Sequence, residues 1–394
     1  EDDPLDEGTD GISRVVIDGY DITASVSGTP LKDIYQDEFM IGVGLNGYNI
    51  ATDTINSPVM NELIKYHFNS VTYTNLMKPG YILDQGGSRN NYNNGSEKPA
   101  VNFDSVIQGL DFCQANDIQM RGHTLVWHAQ TPDWFFREGY ANGGDYVDRE
   151  TMLFRMESYI RQVLGFVQDN YPGVIYAWDV VNEAITNERD YYEHETNRQI
   201  RTKYGDESPI DNPWFVTVGV DYPEKAFEYA REYADPEVKL FYNDYNTFQP
   251  DRTTAIYNLA SHLMENDLID GIGMQGHMGL GYPGINDGYH NWKAALEIFG
   301  KLGLEIHITE LTVNIDTNDG DPFLRQAQRY AELFRLFTEM GAGSRHGANI
   351  TSVTIFGLMD NYLLYDNDTQ TSRLFDGDLQ PKLAYDAVAR PDRY

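Results

Sequence analysis

The sequence predicts an α/β fold, a single-domain (β/α)8 TIM barrel with long βα loops, on three observations. Short apolar runs rich in β-branched residues alternate with amphipathic stretches along the chain. Eight such runs are present, and eight βα units close naturally into a barrel of parallel strands. One barrel also accounts for nearly all of the 394 residues, so the length does not require a second domain.

The eight candidate strands follow one another between residues 40 and 357. They are Met40–Leu45, Ser70–Thr74, Ile118–Trp127, Val174–Asn182, Val238–Tyr242, Gly271–Gln275, Leu304–Glu310 and Ser352–Gly357. Between them, apolar residues recur at three- and four-residue spacing, as a helix with one buried face requires. The amphipathic stretches predicted to be helices are Phe103–Asn116, Glu150–Asn170, Pro223–Ala234, Thr253–Glu265, Tyr289–Leu302 and Pro322–Met340.

The remaining segments are interpreted as a tether and as loops. Residues 1–35 lack strong periodicity and are predicted to be an N-terminal tether and covering segment, with the barrel over residues 36–394. Asp84–Ala100, rich in Gly, Asn and Ser, and the charged stretch Thr186–Asn212 are predicted to be long loops. Because loops that follow barrel strands surround the active site, we expect both to shape a cleft.

Charge and composition exclude several classes of partner. The net charge is −32, from 61 acidic and 29 basic residues, so nucleic acid and anionic membranes would be repelled. No run of 18 apolar residues occurs, and no membrane span is predicted. The single cysteine, Cys113, cannot form an intrachain disulfide and is interpreted as a small buried apolar residue.

The start of the chain suggests where the protein acts. It begins at Glu1 without a methionine, which is typical of a mature chain whose targeting segment has been removed. The acidic opening Glu1–Pro4 suits a tether that follows a lipidated cysteine. We therefore expect a secreted or extracellular protein, with lipoprotein anchoring at a bacterial cell surface as one form of this, and we expect a monomer.

Two glutamates end apolar strands, where a charged side chain is costly unless it faces a polar cleft. Glu183 follows Asn182 at the end of the fourth strand, and Glu310 ends the seventh. The carboxyl ends of barrel strands form the catalytic face, and two carboxyl groups flanking a glycosidic bond are the equipment for acetal hydrolysis. An ion pair at the barrel rim would explain one such glutamate, but two together favour catalysis.

Histidines also cluster at strand ends of the same face. His123 and His128 lie in the third strand region, with Trp127 and Gln130, and His277 follows the sixth strand with Gln275. A zinc site is the alternative interpretation, but the HxH and HExxH spacings of metal helices are absent, so no metal is predicted. The acidic loop at residues 316–321 does not match the EF-hand spacing and is interpreted as a solvated loop, not a calcium site.

Over residues 36–390 the chain resembles glycoside hydrolase family 10, the barrel xylanases. Four motifs carry the resemblance and appear in the family's order: Gly122–His128 (GHTLVWH), Trp178–Ala184 (WDVVNEA), Asn243–Asn246 (NDYN) and Ile308–Leu311 (ITEL). The resemblance implies an endo-1,4-β-xylanase that cleaves internal bonds of xylan by double displacement with retention. It implies a polysaccharide as the binding partner and no cofactor.

The resemblance also assigns roles to residues of this chain. It implies that Glu310 is the nucleophile and that Glu183 is the acid/base, about 5–5.5 Å apart as in retaining enzymes. The implied substrate-binding residues are Asn182 on the 2-hydroxyl at subsite −1, Gln275 on the same ring, His277 on Glu310, His123 and Trp127 at −1, Asn75 and Lys78 at −2, Gln130 on the glycone side, Tyr245 on the leaving-group side, and Phe356 at a position where a tryptophan is usual.

Four positions depart from the family pattern. Thr74 replaces a carboxylate of the −2 site, Thr312 replaces the carboxylate that partners the histidine, and Phe356 and Leu364 stand where tryptophans are usual. These positions concern sugar binding more than bond cleavage. We therefore expect weaker binding at −1 and −2, some tolerance of decorated sugars and a shifted pH optimum.

Three other functions stay open at this point. The same retaining mechanism acting on another or a heavily decorated β-glycan would suit the changes on the glycone side. A non-catalytic carbohydrate-binding barrel would suit the loss of tryptophans and carboxylates. A metal-dependent barrel hydrolase would need a ligand set that the sequence does not display.

Overall fold

The computed structural model describes residues 14–186, 191–192 (backbone only), 199–205, 208–317, 320–342, 347–360 and 371–394. Within these residues the predicted (β/α)8 barrel is confirmed. The barrel strands are β1 Met40–Leu45, β2 Ser70–Tyr73, β3 Gln119–Trp127, β4 Ile175–Asn182, β5 Lys239–Asp244, β6 Gly271–Met274, β7 Glu305–Asn314 and β8 Ile350–Ile355. The helices that follow them are α1 Pro58–His67, α2 Ile107–Asn116, α3 Arg149–Asn170, α4 Tyr222–Tyr233, α5 Pro250–Glu265, α6 Trp292–Gly300, α7 Pro322–Glu339 and α8 Leu383–Ala389.

Each barrel strand pairs in parallel with its neighbours in chain order. The ring closes because β7 pairs with both β6 and β8, and β8 pairs with β1. Parallel strands joined by helices leave the sheet buried on both faces, which explains why the strands are almost continuously apolar. All eight predicted strands are present, although β7 continues four residues beyond Glu310 to Asn314. Because neighbouring barrel strands run parallel, their carboxyl ends all lie at one rim of the barrel.

The helices begin where side chains cap their free amides. The carboxylate of Asp148 accepts from Thr151 N at the start of α3, Asn291 Oδ1 accepts from Ala294 N at α6, and Asp321 accepts from Leu324 N at α7. The six predicted helices are all present, and α1 and α8 are two more.

The prediction that Asp84–Ala100 is a loop is wrong in part, because Gln85–Asn93 forms a helix. Its Gly, Asn and Ser residues have low helix propensity, so contacts outside the helix must stabilise it. The Asp84 carboxylate caps Gly87 N at 3.1 Å, and Ser88 Oγ donates to Asp84 O at 2.6 Å. Arg89 Nε also donates to Tyr140 O, which ties the helix to the loop after β3.

The insert at Thr186–Asn212 lies partly outside the described residues. Its described backbone pairs Tyr191–Tyr192 with Ile200–Arg201 in a short antiparallel ladder. The other short strands are Val16–Ile17, Tyr20–Asp21, Leu83–Asp84, Ala100–Val101 and His277–Gly279. The other short helices are Leu31–Ile34, Ile50–Thr52, Thr54–Asn56, Pro79–Ile82, Asp133–Phe136, Glu138–Tyr140, Pro213–Thr217 and Pro391–Arg393.

Residues 14–35 pack on the C-terminal part of the chain. Ser25 Oγ donates to Leu379 O, and Tyr35 OH donates to Val388 O in α8. The Tyr35 ring also lies against Phe334 of α7, with ring centroids 5.2 Å apart. The boundary proposed at residue 35 stays a prediction, since the packing does not set these residues apart as a unit. In the described part of the chain no helix is long and apolar enough to cross a membrane.

We expect Phe334→Ala to lower the free energy of unfolding by about 3–5 kcal/mol, because it removes a wholly buried ring and leaves a cavity. The lost contacts join α7 to Tyr35, Phe39 and Phe337. Phe154→Ala on α3 is the matched control, since that ring is 45% exposed and its loss should change the free energy by less than about 1 kcal/mol. Urea unfolding followed by tryptophan fluorescence measures both, and equal effects would contradict the packing described.

Candidate active site

A cleft of about 220 Å³ opens at the carboxyl ends of the strands. Seven of the eight strand ends contribute to it. The residues that line it are Thr74, Asn75, Lys78, His123, Trp127, Asn182, Glu183, Tyr245, Asn246, Gln275, His277, Glu310 and Phe356. The structure thus brings together every predicted site residue except Gln130.

Gln130 lies outside the lining of the cleft. Its side chain is exposed, and its backbone adopts a left-handed conformation with φ of 52°. The carbonyl oxygen of Gln130 accepts from Gly80 N at 2.8 Å, and this hydrogen bond connects the loop after β3 to the loop after β2. Its assignment to the glycone side stays a prediction.

Glu310 is buried at the bottom of the cleft and has two hydrogen-bond donors. Asn243 Nδ2 donates to Oε1 at 3.0 Å, and His277 Nε2 donates to Oε2 at 3.1 Å. Burial raises the pKa of this carboxyl, but the His277 hydrogen bond and the positive potential of His123, His277 and Lys78 lower it more, so the pKa lies below its usual range. Glu310 is therefore an anion near neutral pH, as a nucleophile must be.

The amide of Asn243 is fixed by the residue before Glu310. Thr309 Oγ1 donates to Asn243 Oδ1 at 2.7 Å, which points the Nδ2 group towards Glu310. The same Nδ2 also donates to Asn182 Oδ1 at 2.9 Å. The sequence reasoning missed Asn243 as a site residue, although it opens the NDYN motif, and the signal was a polar residue inside an apolar strand.

Glu183 has a strained backbone and two donors of its own. Its φ is 57°, a left-handed conformation that is uncommon for a residue other than glycine, and its amide donates to Asn243 O at 2.9 Å. Gln275 Nε2 donates to Oε1 at 2.7 Å, and Trp127 Nε1 donates to Oε2 at 2.9 Å. These contacts hold the carboxyl group at the cleft wall.

The two glutamates converge from one half of the barrel rim. β4 and β7 are separated by β5 and β6, so they are three places apart in the ring and not diametrically opposite. Register shifts between β7 and β8 flank Glu310, which is the kind of irregularity that re-aims a side chain near an active site. The separation of about 5–5.5 Å between the carboxyl groups stays a prediction.

The partner of His277 differs from the usual one in the family. Its Nδ1 lies 3.1 Å from Thr312 Oγ1, and its ring meets the Phe356 ring edge-on at 5.5 Å between centroids. A hydroxyl can donate to Nδ1 or accept from it, so it accommodates both the neutral and the charged imidazole. Thr312 therefore gives His277 an uncharged hydrogen-bond partner where the family pattern has a carboxylate.

A buried ion pair lies beneath the cleft. Arg121 donates to both oxygens of Asp179, at 2.6 and 3.0 Å, and both residues are wholly buried. His123 Nδ1 lies 2.9 Å from the same carboxylate. Burial raises the pKa of Asp179, but Arg121 and His123 outweigh it and hold the pKa at about 2. The ion pair thus orients His123 at the cleft. Charged residues inside apolar strands β3 and β4 were the signal that the sequence analysis did not use.

A second buried acid supports Tyr245. Burial raises the pKa of Asp244 to about 6, against the opposing charge of Arg252 at 3.1 Å. The Asp244 carboxylate accepts from Tyr245 N at 2.8 Å, and Arg201 Nη2 donates to Tyr245 OH at 2.8 Å. The strand that carries Arg201 belongs to the insert after β4, so the insert helps to position Tyr245.

On the side of β2, Lys78 is buried beside Trp127. Its ammonium donates to Asn75 Oδ1 at 3.0 Å and lies 5.0 Å from the Trp127 ring centroid. Burial lowers the pKa of Lys78 to about 8, although the negative charges of Glu310 and Glu183 oppose this. Thr74 Oγ1 donates to Leu45 O at 3.1 Å, so its hydroxyl is bound to the backbone. Leu364 lies outside the described residues.

No group of three or more acidic, histidine or cysteine side chains able to hold a metal ion occurs among the described residues. Within the acidic loop after β7, Asp316 Oδ1 accepts from Leu280 N at 3.3 Å. Asp321 caps α7, as described above.

The family of the chain follows from comparison with known proteins. The family model described as glycosyl hydrolase family 10 matches residues 30–391. The chain belongs to glycosyl hydrolase family 10. The resemblance seen in the four motifs is therefore confirmed, and the two glutamates stand in a family 10 cleft.

Similar proteins of the family come from several bacteria. A relative from Caldicellulosiruptor saccharolyticus is 45% identical over 311 residues, which are 78% of this chain and 94% of the relative. Endo-1,4-beta-xylanase B of Butyrivibrio fibrisolvens is 41% identical over 365 residues, 91% of this chain. The match spans only 53% of that enzyme, so the chain covers about half of its length.

A solved structure of the family has the same fold. It contains the CBM22-1 and GH10 modules of endo-1,4-beta-D-xylanase 10B from Clostridium thermocellum in complex with xylohexaose. The two chains share 33% sequence identity and superpose with a TM-score of 0.80, over 92% of this chain and 68% of the other.

We expect Lys78→Met to move the acid limb of kcat/KM to higher pH, by up to about one unit. Without the ammonium the Glu310 carboxylate is less stabilised, so it takes up a proton, and the enzyme loses activity, at a higher pH than in the wild type. Lys65→Met on α1 is the control, since Lys65 pairs with Glu62 at the surface. The pH dependence of aryl xylobioside hydrolysis measures both. An acid limb that stays in place or moves to lower pH would contradict this role.

Proposed function

We propose that this chain is an endo-acting, retaining xylanase that hydrolyses internal β-1,4-xylosidic bonds. The observation that carries the proposal is the pair of carboxyl groups, Glu183 and Glu310, held in one cleft by separate sets of donors. Family membership and the name of the B. fibrisolvens relative support xylan as the substrate. The xylohexaose bound to the C. thermocellum modules supports a cleft that takes several sugar units.

In the first step Glu310 attacks the anomeric carbon of the −1 xylose. Its carboxylate is ionised because Asn243, His277 and the nearby cations favour the charged form. Glu183 gives its proton to the interglycosidic oxygen as that bond breaks, so the aglycone leaves as an alcohol. The products are a glycosyl ester on Glu310 and a carboxylate on Glu183.

In the second step Glu183 acts as the base. Its carboxylate accepts hydrogen bonds from Trp127 Nε1 and Gln275 Nε2, and both donors stabilise the negative charge formed in the first step. The carboxylate takes a proton from a water molecule that attacks the anomeric carbon and releases Glu310. Two displacements at the same carbon retain its configuration, and both glutamates return to their starting protonation states.

The −1 sugar is oriented by the amides at the ends of β4 and β6. Asn182 Oδ1 accepts from Asn243 Nδ2, so the Asn182 amide is aligned with the same network that holds Glu310. Gln275 Nε2 lies between Glu183 Oε1 and Asn182 Oδ1, at 2.7 and 3.4 Å. We infer that Asn182 bonds the 2-hydroxyl, a contact that strengthens as positive charge develops on the ring.

The departures from the family pattern suggest looser binding of the glycone. Thr74 cannot donate to a sugar oxygen because its hydroxyl hydrogen is bound to Leu45 O, and it lacks the charged acceptor that a carboxylate would offer to sugar hydroxyls. Phe356 keeps an apolar face beside His277 but is smaller than the usual tryptophan. We infer weaker binding at −1 and −2 and tolerance of decorated xylose units there.

We also propose that the protein acts outside the cell as a monomer. Xylan is a polymer too large to cross a cell envelope intact, so an enzyme that acts on the intact polymer meets it at or beyond the cell surface. Both glutamates and their hydrogen-bond donors belong to this one chain, so the two displacement steps need no residue from a second copy. Detection of the protein in fractionated cells, and size-exclusion chromatography with light scattering, test the two statements.

Incubation with xylohexaose, followed by proton NMR, tests the main proposal. We expect internal cleavage with the β-anomer of the new reducing end appearing first. Glu183→Gln should lose about 10²- to 10⁴-fold in kcat on xylohexaose, because no acid protonates the leaving oxygen. It should retain the first step on an aryl glycoside with an acidic phenol, whereas Glu310→Gln should lose both reactions. The α-anomer appearing first, or full activity of Glu310→Gln, would refute retention through Glu310.

Thr74→Glu tests the looser glycone site. Because a carboxylate at this position can accept from sugar hydroxyls, we expect KM for undecorated xylo-oligosaccharides to fall on the order of tenfold. Activity on decorated oligosaccharides should fall relative to the plain ones. Thr74→Val is the matched control, since the hydroxyl it removes is bound to the backbone. Steady-state kinetics on both substrate classes measure the effect. A wild-type KM for undecorated chains as low as that of Thr74→Glu would refute the looser glycone site.

A further inference from the structure

Exposed aromatic rings lie on the rim beyond the cleft, on the loop after β6. Tyr282 is 49% exposed and Tyr289 is 77% exposed, the two highest fractions among the exposed aromatic side chains of the described residues. The His290 ring lies beside both, at 5.8 Å from Tyr282 and 5.2 Å from Tyr289 between centroids. Tyr282, Tyr289 and His290 are called the rim platform below.

The side chain of Tyr282 is held in place despite its exposure. Its hydroxyl lies 2.8 Å from His290 Nδ1, and Gln249 Nε2 donates to the same hydroxyl at 3.4 Å. Phe248, on the loop after β5, meets its ring edge-on at 5.7 Å. The ring is thus fixed by neighbours on two loops while a large part of its surface stays in solvent. A fixed exposed ring loses little side-chain entropy when a ligand binds it.

The backbone of the loop is also pinned. Gly279 N donates to Tyr282 O at 2.9 Å, and Gly284 N donates to His290 O at 2.9 Å. Arg329 of α7 is buried beneath it, donating from Nε to Gly279 O at 3.2 Å and from Nη2 to Pro283 O. The rim platform is therefore a preformed surface.

The rim platform lies at the end of the cleft opposite to β2. In a closed ring of eight strands β6 stands across from β2, because the two are four places apart. Asn75 and Lys78, which follow β2, line the end of the cleft assigned to the glycone. A sugar chain that runs from β2 across Glu183 and Glu310 therefore leaves the cleft past Tyr245 towards the loops after β5 and β6.

The spacing suits a sugar unit some way beyond the bond that is cleaved. The loop continues the strand His277–Gly279, whose first residue contacts Glu310. Three residues of strand span about 10 Å, which is about the length of two pyranose units. Xylopyranose units have apolar C–H faces, which can stack on aromatic rings. They carry no charge, so the strongly acidic protein does not repel them.

We propose that the rim platform is a distal aglycone subsite, in which the Tyr282 ring stacks on a xylose unit about two or three places beyond the scissile bond. This rests on the proposed function, because it takes its ligand from xylan. The contact is made by long chains and not by substrates whose aglycone is a single small group. Chains that reach it gain binding energy that accelerates cleavage, and the site of cleavage is drawn away from the reducing end.

Tyr282→Ala in the full chain tests the proposal with two substrates. On xylohexaose labelled at its reducing end, we expect kcat/KM to fall about 2- to 10-fold and the labelled products to become shorter. On an aryl xylobioside, whose aglycone does not reach the rim platform, kcat/KM should stay at the wild-type value. Tyr282→Phe keeps the ring and its edge-on contact with Phe248 but loses the bonds to His290 and Gln249, so its loss on xylohexaose should be smaller than that of Tyr282→Ala, with no loss on the aryl xylobioside.

Phe154→Ala is the control for loss of an exposed ring elsewhere, on the outer helix α3, and should change neither substrate. Equal losses on both substrates would show damage to the catalytic site and would overturn the proposal. An unchanged product pattern in Tyr282→Ala would overturn it as well. A wild type that cleaves neither substrate would contradict the xylanase function itself, which distinguishes that failure from failure of the subsite.

Discussion

The site depends on the side-chain amide of Asn243 more than on any other single group. Thr309 Oγ1 donates to the amide oxygen of Asn243, so the amide nitrogen of Asn243 must face Glu310 Oε1 and Asn182 Oδ1. Through this one amide, β5 links Glu310 on β7, the proposed nucleophile, with Asn182 on β4, the proposed partner of the 2-hydroxyl. The barrel makes the link available, since parallel strands in chain order bring all their carboxyl ends to one rim.

Around this amide, the two carboxyl groups differ because their surroundings differ. Glu310 is buried beside cations, and its pKa is held below the usual range. Glu183 lies at the wall with two neutral donors, Trp127 Nε1 and Gln275 Nε2. Beneath them the Arg121–Asp179 ion pair is wholly buried. Removing either residue would leave the other as an unpaired buried charge. The pair therefore serves to hold His123 in position, and its cost is offset by bidentate geometry.

The sequence alone was enough for the fold and for the cleft, because both follow from short-range patterns. Apolar runs gave the eight strands, and the polar residues that end them converge by the geometry of a barrel. It was not enough for the helix Gln85–Asn93, whose residues form helices poorly and are held by Asp84 and Tyr140 from outside. It also missed Asn243, Asp179 and Arg121, which act through other side chains. Such contacts depend on which strand faces which, and a single sequence does not display them.

The two ends of the cleft differ in the kind of contact that they offer. On the side of β2, Thr74 Oγ1 donates to the backbone oxygen of Leu45, and Lys78 donates to Asn75. On the side of β6, Tyr282 is fixed by His290 and Gln249 but keeps its ring exposed. Binding energy from parts of a substrate remote from the reacting bond can stabilise the transition state as well as contacts next to it do. In a family member with fewer polar contacts to the glycone, contacts to the aglycone can therefore maintain the cleavage rate on long chains. Short chains do not reach those contacts, so their cleavage rate falls.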